Sequence, residues 1–200
     1  MAQFIIALGR EYGSGGHEIA TKLSERLGIP LYDRNMLDQM AEKNGINSEN
    51  LHQFDEKSRL HGLTRTVRGH SSSAQDHVAQ IQFDFIRGKA EEGESFIIVG
   101  RCGEQVLKGY KGLVTIFVRG DEDVKAERIC RLYHLSDKEA RMKMHNHDKK
   151  RKAYHNSHSQ IKWGDSRAYD LLVNSSKLGI DATTDFIESY VRECIARNED

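Results

Sequence analysis

Residues Gln3 to Leu8 (QFIIAL) form a short apolar run that ends directly in the glycine-rich stretch Gly9 to Gly16 (GREYGSGG). Beyond it, Ile19, Leu23 and Leu27 recur four apart before Gly28 and Pro30 interrupt the pattern. A buried strand, a glycine turn and an amphipathic helix in that order leave few choices of fold. The turn lies at the sheet edge, with backbone N–H groups and a helix N-terminus pointing out of it, and that is a cradle for an anion such as a phosphate. Gly9, Gly13, Gly15 and Gly16 suit a loop where a Cβ would block close approach.

Four further apolar runs complete a strand–helix alternation: Leu31–Tyr32, Ser95–Val99, Val114–Val118 and Leu171–Asn174. Helical patterns fall at Asp76 to Glu92 (Val78, Ile81, Phe85 and Ile86 as the apolar side), Cys102 to Lys108, Asp121 to Leu132, Ser136 to Gln160 and Thr183 to Arg197. In the last of these, Phe186, Ile187, Tyr190, Val191, Cys194 and Ile195 share a face. A helix also starts at Asp33, which stands where an N-cap would, and carries Met36, Leu37, Met40 and Ala41. Ser48 to Arg59 reads as a short helix and His70 to Ser73 as a loop. Continuously apolar strands alternating with helices predict a mostly parallel sheet covered on both faces.

Composition narrows the class. Thirty basic residues balance thirty acidic ones, which argues against a nucleic-acid or anionic-membrane surface, and the basic segment described below lacks interleaved aromatics. No apolar run approaches the ~18 residues of a membrane span. Three cysteines without a CxxC pair read as reduced thiols of a cytoplasmic protein. Oligomeric state stays open.

The chain resembles the cytidylate kinase-like branch of the P-loop nucleoside monophosphate kinases. The resemblance is carried in order by GREYGSGGHEIA (Gly9 to Ala20), PLYDRNML (Pro30 to Leu37), IIVGRC (Ile97 to Cys102), AERICR (Ala126 to Arg131), HDKKRKAYH (His147 to His155) and YDLLVNSSKLGID (Tyr169 to Asp181). It implies a single domain over residues 1–200, a three-layer α/β/α P-loop NTPase fold with a five-stranded sheet. Residues 34–93 would form a helical acceptor-binding insertion and residues 133–162 a basic lid. The implied activity is ATP- and Mg²⁺-dependent phosphoryl transfer to a nucleoside monophosphate, CMP or dCMP. The alternative is a nucleotide-binding sensor that kept the fold and lost turnover.

One departure bears on that choice. The common phosphate loop, G-x-x-x-x-G-K-[ST], places a lysine on the phosphates and a hydroxyl on magnesium. Here five residues separate Gly9 from Gly15, and Gly16 and His17 fill the next two places. Losing a transition-state cation costs on the order of 10²–10⁵ in rate. Arg10 or His17 is the candidate replacement cation and Ser14 the candidate hydroxyl. ATP is then expected on Gly13, Ser14, Gly15, Gly16 and His17.

Asp33 is both an N-cap and a candidate acid for a magnesium-bound water or for orienting the acceptor. Arg101, just past a buried strand, suits bidentate binding of the acceptor phosphate. Arg128 and Arg131 lie three apart on one helix face, placed for a base and a phosphate. Arg141 to His155 holds six Lys/Arg and three His against one acid, Asp148, so Arg141 and Arg151 are the expected lid arginines. Arg10 has a plainer reading, a solvated side chain paired with Glu11. Two histidine patterns carry little: His145-Asn146-His147 lacks a nuclease context, and His145, His147, His155 and His158 lack the close carboxylate or cysteine partners of a zinc site.

Overall fold

A computed structural model describes residues 3–37 and 74–199. In chain order these form β1 (Ile5–Arg10), α1 (Gly16–Leu27), β2 (Leu31–Tyr32), a helical turn at residues 34–37, α2 (Ala74–Glu91), β3 (Phe96–Val99), α3 (Gly103–Val106), β4 (Leu113–Arg119), α4 (Glu122–Tyr133), α5 (Asp137–His158), β5 (Leu171–Asn174) and α6 (Ser175–Glu199). The strands make one parallel sheet in the order β2-β3-β1-β4-β5. The continuously apolar runs explain the parallel arrangement. Ile6 sits between Ile97 and Val114 in the middle of the sheet and is fully buried.

Alternate residues of each strand feed two cores. Ile6, Leu8, Ile97, Val99, Ile116 and Val118 pack with Ile19 and Leu23 of α1 and Ile187 and Val191 of α6. Ile5, Ala7, Phe96 and Ile98 pack on the opposite face with Phe83 and Ile86 of α2 and Leu107. Each fully buried side chain of this kind contributes about 1.5–3 kcal/mol, so the central strand β1 is the best anchored part of the chain. Its C-terminal end holds the glycine loop.

The helical faces differ from the sequence reading in two places. On α2 the buried stripe is Ala79, Gln82, Phe83, Ile86 and Ala90, while Val78, Ile81 and Phe85 are only half-buried. On α6, Phe186 is 49% exposed, not on the buried face with Ile187 and Val191. That helix also begins at Ser175, with a break at Gly179 (φ 76°), so Thr183 is its interior. Ser48 to Arg59 and His70 to Ser73 lie outside the described residues, as does most of the segment 34–93 expected to form an acceptor-binding insertion.

Among the described residues, no helix is long and apolar enough to cross a membrane.

Candidate active site

The glycine loop runs from the end of β1 to the first turn of α1. Gly15 takes the N-cap position of α1 in the left-handed region (φ 77°), and Gly13 has φ 87°. Both conformations favour glycine. The first-turn N–H groups of α1 have no helical acceptor, so they remain available to an anion.

An acid keeps the loop in shape. Glu11 turns away from the anion side, and its Oε2 accepts hydrogen bonds from Lys125 Nζ (2.8 Å) and from the Gly120 N–H (3.0 Å). Lys125 is buried on α4, and its Cβ lies beneath Gly13. The plain reading of Arg10 paired with Glu11 is therefore replaced by a Glu11–Lys125 pair. Glu11→Ala strands a buried ammonium and an N–H group, and is expected to cost about 3 kcal/mol in urea unfolding.

Ser14 belongs to the same scaffold. It is buried, its Oγ donates to the Glu11 carbonyl (2.9 Å), and its own carbonyl accepts from Ser175 Oγ (2.6 Å). The hydroxyl expected to serve magnesium is committed to the loop backbone.

Helix α5 lies across the loop. Its N-terminus is fixed by a capping box between Ser136 and Glu139. Asp148 Oδ1 accepts the Tyr12 N–H (2.7 Å), the His147 ring stacks on Tyr12 (4.1 Å, 7° between planes), and the Arg151 guanidinium sits 5.4 Å above the same ring. Arg151 also donates to the Arg10 carbonyl (3.2 Å). Burial raises the Asp148 carboxyl above its ordinary value, against the pull of Tyr12 and Arg151. Burial also lowers His147, with Arg151 and Lys143 adding to the effect.

Beside the loop opens a cavity of about 550 Å³ that reaches it at Gly9 and Arg10. Three arginines from distant parts of the chain converge there: Arg10 from the end of β1, Arg101 from the turn after β3, and Arg151 from α5. Arg34 and Lys150 add further positive charge. Arg10 Nε is buried with no partner among the described residues. Burial, then Arg151 and Arg101, push the Arg10 guanidinium down to about 9, so it is still cationic at pH 7. Arg101 has a left-handed backbone (φ 54°) and lies over the Tyr154 ring (4.9 Å).

The opposite wall is aromatic. Trp163 and Tyr169 both pack on Phe117 of β4, and Gly9 leaves room for them, since a Cβ there would lie 2.7 Å from Phe117. The Gly164 N–H faces the buried Tyr169 hydroxyl, whose proton has no acceptor among the described residues.

Asp33 stands near the cavity, close enough to Arg10 for each to feel the other's charge. Its Oδ1 accepts the Met36 N–H (2.9 Å), which makes it the N-cap of the turn at residues 34–37, and its Oδ2 meets His17 Nε2 (2.9 Å). Burial works against ionisation, but the hydrogen bonds from His17 and Met36 prevail and hold the carboxyl below its ordinary value.

The remaining candidates lie elsewhere. Arg128 pairs with Glu18 (2.7 Å), which ties α4 to α1, and Arg131 is exposed. Arg141 is held on the helix surface by Asp123 (2.6 Å) and Asp137 (2.9 Å). None of the three lines the cavity. The sequence reading missed Glu11, Tyr12, Lys125, Trp163 and Tyr169. The one available signal was an acid, Glu11, inside the glycine loop, which pairs with a cation when it turns inward.

The family model for the cytidylate kinase-like family matches residues 5–177. The chain belongs to that family. A solved structure of an uncharacterized protein from Eubacterium ventriosum ATCC 27560 is 38% identical, with a TM-score of 0.76 over 95% of this chain and 99% of that one. Shikimate kinase from Bacteroides thetaiotaomicron shares the fold at 14% identity, with a TM-score of 0.57 over 96% of this chain and 99% of that one. Shikimate kinase from Acinetobacter baumannii, solved with shikimate, does so at 10% identity and a TM-score of 0.52, over 96% and 94%. No curated protein matches the chain. The parallel order 2-3-1-4-5 is that of the P-loop kinase fold expected from the sequence.

Proposed function

We propose that this cytidylate kinase-like protein transfers a phosphoryl group from ATP to a nucleoside monophosphate, CMP or dCMP. The observation that carries the reading is the convergence of Arg10, Arg101 and Arg151 on one cavity beside the glycine loop. Bringing three cations together is unfavourable in the unliganded chain, and an anionic ligand offsets that cost.

ATP would lie on the N–H groups of Gly13, Gly15, Gly16 and His17, with Arg128 and Arg131 on the far side of the loop. A bound magnesium ion would neutralise phosphate charge. Asp33, an ionised carboxylate, fits it as an outer ligand, whereas Ser14, bonded to Glu11, does not. Arg101 binds the acceptor phosphate. Arg10 replaces the missing lysine, since His17 is engaged by Asp33. Helix α5 serves as the lid and brings Arg151 over the transferring group, so that closure excludes water as it completes the charge. Arg141 acts only as a brace between α4 and α5.

The test is ³¹P NMR with ATP, Mg²⁺ and each common nucleoside monophosphate in turn. The expected result is ADP and a nucleoside diphosphate from CMP or dCMP, with turnover at least ~10²-fold lower in Arg101→Ala. The committed Ser14 hydroxyl and the absent lysine favour a second reading, a nucleotide sensor without turnover. ATP binding by calorimetry with unchanged spectra for every acceptor selects it.

A further inference from the structure

Cys102, Glu104 and His155 come from the turn after β3, the first turn of α3 and the end of α5. Their donor atoms all lie within 4.8 Å of one another, and all three residues line the 550 Å³ cavity. The His155 and Glu104 side chains are 5% and 8% exposed, and His155 Nε2 lies 2.6 Å from Glu104 Oε1. The four-histidine cluster in the sequence carried nothing because it lacked a close carboxylate or cysteine. Among the described residues the fold supplies both to His155.

Two features show that the trio is held in place. Arg101 and Cys102 both have left-handed backbones (φ 54° and 53°), a costly conformation for residues other than glycine. Gly103 follows because a Cβ there would meet Ile98 at 2.7 Å. On the other side, the Trp163 N–H donates to Asn156 Oδ1 (2.9 Å), which fixes that oxygen as an acceptor facing His155 Nδ1 (3.4 Å). A ring that donates from Nδ1 to a carbonyl oxygen presents Nε2 as a ligand, which is the usual outer support of a metal-bound histidine.

We infer that Cys102, Glu104 and His155 form a site for a zinc-type divalent cation, with its fourth position open to the cavity. A sulfur, nitrogen and oxygen donor set selects zinc over magnesium, and three protein ligands with one open position is the arrangement of a reactive rather than a structural zinc site. A dication bound by a thiolate and a carboxylate is charge-neutral, which suits a cavity already rich in arginine.

The inference stands apart from phosphoryl transfer and is tested without it. The full chain, stripped with a chelator, is titrated with Co²⁺ and followed by absorption. The expected result is a thiolate-to-cobalt charge-transfer band that saturates at one cobalt per chain and is displaced by Zn²⁺. Cys102→Ser should remove the band, with its folding checked by circular dichroism. Asn156→Ala, which touches no metal, should weaken cobalt binding about 10- to 100-fold. Glu104→Gln serves as the second ligand variant should Cys102→Ser not fold, and should also weaken binding. No band in the wild-type chain, or an undiminished band in a folded ligand variant, overturns the site. A cobalt band in a chain that transfers no phosphate overturns only the kinase reading.

Discussion

Arg10→Met is expected to make the unliganded protein more stable and to lower phosphoryl transfer about 10²- to 10³-fold. The stem of Arg10 packs where Gly16 has no side chain, since a Cβ on Gly16 would lie 2.6 Å from Arg10 Cβ. Methionine keeps that packing. What it removes is a cation whose Nε has no partner among the described residues and which is repelled by Arg151 and Arg101. Relief of an unsatisfied buried donor is worth about 1–3 kcal/mol, read as a higher urea midpoint. The pH dependence has a definite sign. The folded value of about 9 lies below the ordinary 12.5, so folding disfavours the protonated form. The deficit of the wild type against the variant is fully present below pH 9 and shrinks as pH rises beyond it. Added ATP should stabilise the wild type more than the variant, because the phosphates meet the charge that folding left exposed to its neighbours. A variant that is less stable yet active makes Arg10 a structural residue and moves the lysine's role to His17.

How much of this was legible depends on the range over which each signal acts. The five strands were visible because a strand buried on both faces must be apolar along its whole length, and Phe96–Val99 and Leu113–Arg119 fit that rule closely. The loop was visible because the left-handed positions Gly13 and Gly15 follow directly on β1. Arg101 and Arg151 were singled out by position, at the end of a strand and in a basic helix, and both line the cavity. Arg141 had the same local appearance as Arg151 but faces Asp123 and Asp137, and only the packing of α4 against α5 decides between them. The Glu11–Lys125 pair, 114 residues apart, and the Glu104–His155 pair, 51 residues apart, have no local signature at all. Phe186 shows the opposite failure. Periodicity places it beside Ile187, yet it remains half exposed, because an amphipathic helix fixes a stripe and not its width.

Asp33→Asn separates the two roles that meet in one carboxylate. Asparagine caps a helix about as well as aspartate, so the bond to the Met36 N–H survives the change. The pair with His17 is lost, but the histidine side chain is 56% exposed and such pairs contribute about 0–1 kcal/mol. Stability at neutral pH should therefore change by less than about 1 kcal/mol. Its acid dependence should change in a defined way. A carboxyl held below its ordinary value contributes stability that is present above the unfolded value and lost as pH falls through the folded one, and the variant lacks that slope. Turnover should respond very differently, falling about 10²- to 10⁴-fold if the charge orients the acceptor or a magnesium-bound water. The loss should appear in kcat more than in KM, since in the proposed reading Arg10, Arg101 and Arg151, which line the cavity, grip the phosphates and Asp33 does not. A stable variant with near-normal turnover reduces Asp33 to a helix cap, while a variant that unfolds removes the cap argument instead. Only the combination of a folded protein and a slow one assigns the carboxylate to the chemistry.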